Sequence, residues 1–291
     1  MNIIEKANAK INLFLDIVGR RQDGYHLLET IMHTIPLCDI VKISASKNGI
    51  ALSGSTNTLS WDRTNLAYRA AEKFCSRFNV PCDVSIYIEK HIPIAAGLGG
   101  GSADAAAVLR GLNKFYGLNV DNQHLREIAL ELGADVPYCI EGGTVLAEGI
   151  GEKLTCLPTI SEGYVLLAVP PIAISTAEIY NKWDVLDIKP HSDIGPVIEA
   201  IEEKNLPIIG KHLFNTLEAV TTKCYPIISQ IERVMMLNGC LGSCMSGSGP
   251  SVFGLFDELI KAEKCRDKLQ NVTQGGVTIV LPISHQEGKI C

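Results

Sequence analysis

The run Pro93-Ile94-Ala95-Ala96-Gly97-Leu98-Gly99-Gly100-Gly101-Ser102-Ala103-Asp104 constrains this chain more than any other stretch. Four glycines in five positions make a backbone free to take positive φ and to lie close against a ligand. Ser102 reads as a helix N-cap, and the alanines behind it are strong helix formers. Val108, Leu109, Leu112 and Phe115 carry that helix to Gly117, a left-handed stop. A glycine loop feeding a helix gathers unpaired N–H groups and the positive end of the helix dipole into one small volume. That volume suits phosphate.

Two better-known phosphate loops do not fit. No glycine is followed by Lys-Ser or Lys-Thr at P-loop spacing. Gly97 and Gly99 begin a dinucleotide fingerprint, but Ser102 stands where its third glycine belongs. A dehydrogenase reading fails on that residue. A glycine-rich packing turn needs only one or two glycines, and this loop has more.

The sequence has 291 residues, 46% hydrophobic and 20% charged, long enough for two domains with their own cores. Its net charge of −6 argues against general nucleic-acid binding, so an anionic ligand must be held by local donors. No apolar run approaches a membrane span, and Met1-Asn2-Ile3-Ile4-Glu5-Lys6 lacks a signal-peptide core. The ten cysteines are scattered without a C-x-x-C pair, and Cys240 and Cys244 have no further ligands nearby. Buried reduced thiols in a cytoplasmic protein are expected, not zinc. In that setting the Asn271-Val272-Thr273 sequon is a chance match.

Residues 8–18 alternate, with Ile11, Leu13, Leu15 and Ile17 on one face and Lys10, Asn12 and Asp16 on the other. This predicts a strand with one buried and one functional face. Further strands are expected at Ile40–Ser44, Asp83–Glu89, Gly143–Ala147, Tyr164–Val169, Ser251–Phe256 and Val277–Pro282. Helices are expected at Asn65–Phe78 behind Thr64, Asn122–Leu132, Gly195–Glu203, Leu213–Thr222, Ile227–Leu237 and Glu258–Leu269. The irregular mixture favours α+β over a doubly wound sheet. Leu154–Glu162 reads as a linker.

Three further segments stand out. Gly19-Arg20-Arg21-Gln22-Asp23-Gly24-Tyr25-His26 follows the first strand, and Asp23-Gly24 is a hairpin-turn signal. Met245-Ser246-Gly247-Ser248-Gly249-Pro250-Ser251 is a tight turn entering a strand. In Gly133-Ala134-Asp135-Val136-Pro137-Tyr138, Val136 precedes proline and reads as extended, leaving Asp135 at a chain reversal. Taken alone, Asp135 fits a turn or capping aspartate better than a catalytic one.

The Pro93–Ala103 run closely resembles the P-x-x-x-G-L-G-[SG]-[GS]-[SA] signature of the GHMP small-molecule kinases. The A-K-I-N-L-x-L-x-I-x-G-R-R-x-D-G-Y-H hairpin resembles one branch of that superfamily, whose acceptor carries a cytidine diphosphate. Homoserine and mevalonate kinases lack this hairpin. A non-catalytic nucleotide sensor on the same fold is expected to lose Lys10 or Asp135, and both are present.

The resemblance implies a two-domain α+β fold: an N-terminal mixed-sheet domain over 1–157 and a C-terminal ferredoxin-like sandwich over 158–291. It implies ATP held by Pro93, Ile94, Ala95, Ala96, Gly97, Leu98, Gly99, Gly100, Gly101, Ser102 and Ala103, with Asn65 at a helix start beside the adenine. Lys10 and Asp135 match the catalytic positions. Asn12, Tyr25, His26, Thr176, Tyr180, Gly247 and Ser248 match the acceptor site, with Tyr25 and Tyr180 sandwiching cytosine and His26 hydrogen bonding to it. Relatives often carry Thr-Pro where this chain has Thr176-Ala177. Mg²⁺ is expected with ATP, its protein ligands left open. No obligate protein partner is expected.

Overall fold

The structure is a computed structural model describing residues 2–187 and 189–284. The chain forms two compact units, neither contiguous in sequence. One comprises the residues through Ala9, Leu37–Ile92 and Gly99–Gly142; the other comprises Lys10–Pro36, Pro93–Leu98 and the residues from Gly143 onward. Two long strands, β1 (Ile3–Arg20) and β2 (His26–Ala45), each contribute one part to either unit. The turn joining them closes with Arg21 N–H donating to Tyr25 O (2.7 Å) and Gly24 at φ +91°, as Asp23-Gly24 predicts.

In the first unit β3 (Ala51–Gly54) precedes α1 (Leu66–Phe78), β4 (Val84–Glu89), α2 (Gly100–Tyr116), α3 (Asn122–Leu130) and α4 (Val136–Glu141). β4 pairs antiparallel with Ile40–Ala45 of β2 and parallel with β3, a mixed sheet. Small residues let α1 and α2 lie close: Ala67, Ala70 and Ala71 of α1 and Ala103, Ala105, Ala106 and Ala107 of α2 share one buried core with Val41, Ile43 and Ile86. Asn65 caps α1 by accepting from Ala67 N–H at 2.9 Å, so Asn65 and not Thr64 begins that helix.

In the second unit β5 (Thr144–Gly149) pairs antiparallel with Leu28–His33 of β2 and with β6 (Lys153–Leu157). Then come β7 (Tyr164–Val169), α5 (Thr176–Asp184), α6 (Gly195–Glu202), α7 (Leu206–Lys211), β8 (Phe214–Asn215), α8 (Glu218–Cys224) and α9 (Ile227–Met236). β9 (Gly242–Met245), β10 (Val252–Phe256), α10 (Leu259–Leu269) and β11 (Val277–Pro282) complete it. The antiparallel order β11-β7-β10-β9, with helices between the strands, is the ferredoxin-like arrangement.

Several expectations need correction. β1 is buried on both faces: Lys10, Asn12 and Asp16 are as inaccessible as the leucines, so its polar face is interior. Ile40–Ser44 is only the end of a 20-residue strand. Ser102 does not cap α2. Gly99 at φ +71° does, and Ser102 lies inside the first turn, because the glycines themselves bend the chain into the helix. Val136 is helical: Pro137 sits in the first turn of α4, where a missing N–H costs nothing. Leu154–Leu157 extend β6 and are not linker. The helix expected over Leu213–Thr222 is split, because Phe214 and Asn215 pair with Phe14 and Leu15 of β1.

Candidate functional site

The glycine loop is fastened by its backbone. Within the second unit, Lys10 N–H of β1 donates to Leu98 O at 3.0 Å and Ser251 N–H donates to Ala96 O at 3.3 Å. The Ser246 hydroxyl donates to Gly97 O at 3.0 Å and accepts from Asn12 N–H at 3.3 Å. One hydroxyl thus ties the first strand, the loop and the second glycine turn together. Gly97 has φ +75°, and a Cβ there would lie 2.2 Å from Ser246 O, so only glycine fits. Ala95 holds φ +52° while exposed, a conformation uncommon for a residue with a side chain and concentrated at ligand sites. In the first unit the intrahelical ladder of α2 starts with Ala103 N–H donating to Gly99 O at 2.8 Å. The N–H groups of Gly100, Gly101 and Ser102 precede it and point out of the helix end, the arrangement that receives anions.

Lys10 is 4% exposed, and its ammonium donates to Asn12 Oδ1 at 2.7 Å. The Asn12 amide is fixed in turn by donating to Thr30 Oγ1 at 2.9 Å, whose hydroxyl donates to Phe14 O at 2.6 Å. An ammonium buried and hydrogen-bonded in this way keeps its position. Asp135 belongs to the other unit, half-buried at the start of α4, and its carboxylate makes no capping bond to that helix.

The hairpin residues meet α5 within the second unit. The His26 ring lies 4.9 Å from that of Tyr180 and edge-on to Trp183 at 6.0 Å. His26 Nε2 is 2.7 Å from Asp184 Oδ1, and the other Asp184 oxygen is 3.2 Å from Arg20. Tyr25 is exposed at the turn, with a face available for stacking. Thr176 and Ser248 are joined through their hydroxyls at 2.8 Å. The second glycine turn is braced from below: Asn215 Nδ2 donates to Met245 O and Gly247 O, both at 2.8 Å, and Met245 N–H donates to Glu218 at 2.6 Å. Glu218 hydrogen-bonds Glu232, and burial raises both carboxyls. Burial and then the neighbouring Glu218 charge push Glu232 to about 9, so the pair keeps a proton near neutrality.

A second buried network supports α2 within the first unit. Lys90 bridges Asp39 and Asp104, the latter at 2.6 Å, with all three side chains at or below 7% exposure. Asp39 also accepts from His91 N–H (2.5 Å) and Ile92 N–H (2.8 Å), fixing the chain just before the loop. Burial pushes the Asp104 carboxyl up to about 7, against the pull of Lys90.

The second unit therefore brings Lys10, Asn12 and the Pro93–Leu98 segment into one bonded system through Ser246, joins Thr176 to Ser248, fixes Gly247 through Asn215, and sets His26 against Tyr180. Asn65 serves its own helix. Sequence reasoning missed Ser246, Asn215, Thr30, Asp184, Lys90, Asp39 and Asp104. Ser246 and Asp104 lie inside the recognised motifs, and only the pairing was hidden. Nothing local marks Asn215 or Asp184.

Comparison with known proteins places this geometry. The model for the GHMP kinases N terminal domain matches residues 65–143, and that for the GHMP kinases C terminal matches residues 197–274. The 4-diphosphocytidyl-2-C-methyl-D-erythritol kinase of Clostridium botulinum (strain Loch Maree / Type A3) is 46% identical over 268 residues, covering 92% of this chain and 96% of that protein. A crystal structure of 4-(cytidine 5'-diphospho)-2C-methyl-D-erythritol kinase is similar with a TM-score of 0.79 at 32% identity, covering 96% of this chain and 98% of that one. Homoserine kinase from Cytophaga hutchinsonii ATCC 33406 shares the fold, with a TM-score of 0.77 at 20% identity over 96% of this chain and 94% of that chain.

Proposed function

Because the chain belongs to the GHMP kinase family, we propose that it transfers the γ-phosphate of ATP to the 2-hydroxyl of 4-diphosphocytidyl-2-C-methyl-D-erythritol, a step in isoprenoid precursor synthesis. The observation that carries this reading is similarity across nearly the whole of both chains, joined to the Gly19–His26 hairpin and its resemblance to the branch with a cytidine diphosphate acceptor.

Phosphoryl transfer demands in-line placement, charge neutralisation and one proton acceptor. The Pro93–Ala103 loop and the first N–H groups of α2 hold the nucleotide phosphates, with Asn65 at the α1 start beside the adenine. Asp135 takes the proton from the 2-hydroxyl as its oxygen attacks the γ-phosphorus and the bond to the bridging oxygen of ADP breaks. Lys10, positioned by Asn12, stabilises negative charge on the attacking oxygen. Tyr25 and Tyr180 stack on cytosine, His26 hydrogen-bonds it, and Thr176, Gly247 and Ser248 hold the acceptor's phosphates. Mg²⁺ accompanies the ATP. Its preference for phosphate oxygens and water suits a site where, among the described residues, no three His, Cys, Asp or Glu side chains converge. The family's two modules divide at 157/158, between the two matched segments, and the protein works in the cytoplasm on a small molecule without an obligate partner.

The test is turnover with ATP and a panel of acceptors. The cytidine diphosphate acceptor should gain the mass of one phosphate, while homoserine and mevalonate remain unchanged. Phosphorylation of either of the latter in preference would overturn the reading.

A further inference from the structure

We propose that Asp184 is a specificity-determining positioning residue: it fixes the His26 tautomer and thereby selects cytosine over uracil. The inference rests on the cytidine-site reading above and adds to it a residue outside the recognised motifs. Which imidazole nitrogen carries the proton is set by the hydrogen bond the other one makes. A carboxylate can only accept, so the 2.7 Å contact between Asp184 Oδ1 and His26 Nε2 places the proton on Nε2. In the neutral ring Nδ1 is then left as an acceptor. Among the described residues Nδ1 has no hydrogen-bond partner.

Arg20 sits 3.2 Å from the other Asp184 oxygen and already balances that carboxylate. Lys189 also faces this corner: its ammonium lies 4.4 Å from the Trp183 ring centroid and donates to the Asp184 backbone carbonyl at 3.1 Å. The ring itself is held by Tyr180 at 4.9 Å and Trp183 at 6.0 Å, so it cannot readily turn to exchange its nitrogens.

A fixed acceptor discriminates the two pyrimidines by chemistry. The 4-amino group of cytosine donates to it, whereas the 4-oxo group of uracil presents a second lone pair. A site built around such a polar contact rejects the analogue that cannot complete it.

The experiment compares wild type, Asp184→Asn and Asp184→Ala on the cytidine acceptor and its uridine counterpart, with ¹⁵N spectra of the His26 imidazole assigned through His26→Gln. Wild type should show Nε2 protonated, Nδ1 bare, and a preference for the cytidine acceptor. Asp184→Ala should raise KM for the cytidine acceptor roughly tenfold, leave KM for ATP and kcat within about twofold, and collapse the cytidine-to-uridine ratio. Asp184→Asn can still accept from Nε2–H through its amide oxygen and should retain part of the selectivity. A proton on Nδ1 in wild type, or a ratio unchanged in Asp184→Ala, would overturn the inference. A lowered melting temperature with selectivity intact would likewise reduce Asp184 to a structural brace. Failure of wild type to phosphorylate the cytidine acceptor would instead sink the functional reading, and the tautomer spectrum would still decide the role of Asp184.

Discussion

Replacing Gly97 with alanine should cripple ATP use while the fold survives. The magnitude follows from two local effects. At φ +75° a residue with a side chain is strained by about 1–2 kcal/mol. The new Cβ would lie 2.2 Å from Ser246 O and 3.0 Å from Gly249 O, so the loop and the second glycine turn must separate. That separation breaks the 3.0 Å bond from Ser246 Oγ to Gly97 O, a loss of about 1 kcal/mol. Together these come to about 2–3 kcal/mol, roughly thirtyfold to a hundredfold if it falls on binding or turnover. The assay is steady-state kinetics with ATP varied, beside circular dichroism and a thermal melt. Gly117→Ala is the control: it shares a positive φ of +63° at the other end of α2 but has nothing within 4 Å to strike. It should lower the melting temperature slightly and leave KM for ATP unmoved. A folded Gly97→Ala enzyme with KM and kcat within twofold of the parent would mean that the loop tolerates a side chain and does not need this close approach to Ser246.

The remaining predictions concern single side chains. Asp135→Asn should preserve ATP and acceptor binding while lowering kcat by ~10² or more, and turnover within threefold of wild type would demote Asp135 to a turn residue. Tyr25→Ala and Tyr180→Ala should each raise KM for the cytidine acceptor about tenfold with KM for ATP nearly constant, phenylalanine being tolerated at both positions; a purely thermal effect would remove them from the cytosine site. Lys90→Met strands Asp39 and Asp104 without their buried counter-charge and should cost on the order of 3–5 kcal/mol in urea unfolding; an unchanged midpoint would show that the bridge is dispensable. Burial raises Glu232 to about 9, so the native state holds a proton there that the unfolded chain, at the ordinary value of 4.5, has already released. Stability from this group is full below that ordinary value and is lost as pH rises through about 9. Glu232→Gln should therefore flatten the fall of melting temperature between pH 6 and 9; retention of the wild-type slope would place the proton elsewhere.

What could be read from the sequence was what lies within a few residues of itself. The glycine loop, the Asp23-Gly24 hairpin and the Gly117 stop are local devices, and the structure keeps them. Local rules failed where two of them competed. The residue before proline is biased toward extended backbone, yet Pro137 fits the first turn of α4, and the helix won. Alternation in β1 could separate apolar from polar positions but could not reveal that both faces are covered. The bracing of the site was least legible, because it depends on partners far apart in the chain. Asp39 meets Lys90 across 51 positions, and Asn12 N–H meets the Ser246 hydroxyl across 234. Asn215 falls inside the helix expected over Leu213–Thr222; its pairing with β1 and its hold on the second glycine turn arise only when the unit is assembled.

The atom that accepts the phosphate defines the reaction, and phosphorus NMR of the product identifies it. The acceptor's C2 carries a methyl group and no hydrogen, so a phosphate on its oxygen has no carbinol proton three bonds away. After incubation with ATP and 4-diphosphocytidyl-2-C-methyl-D-erythritol, one new phosphomonoester signal should appear, uncoupled to any such proton, beside the two signals of the diphosphate. Absence of a new signal, or one split by coupling to a neighbouring CH or CH₂, would contradict transfer to the 2-hydroxyl.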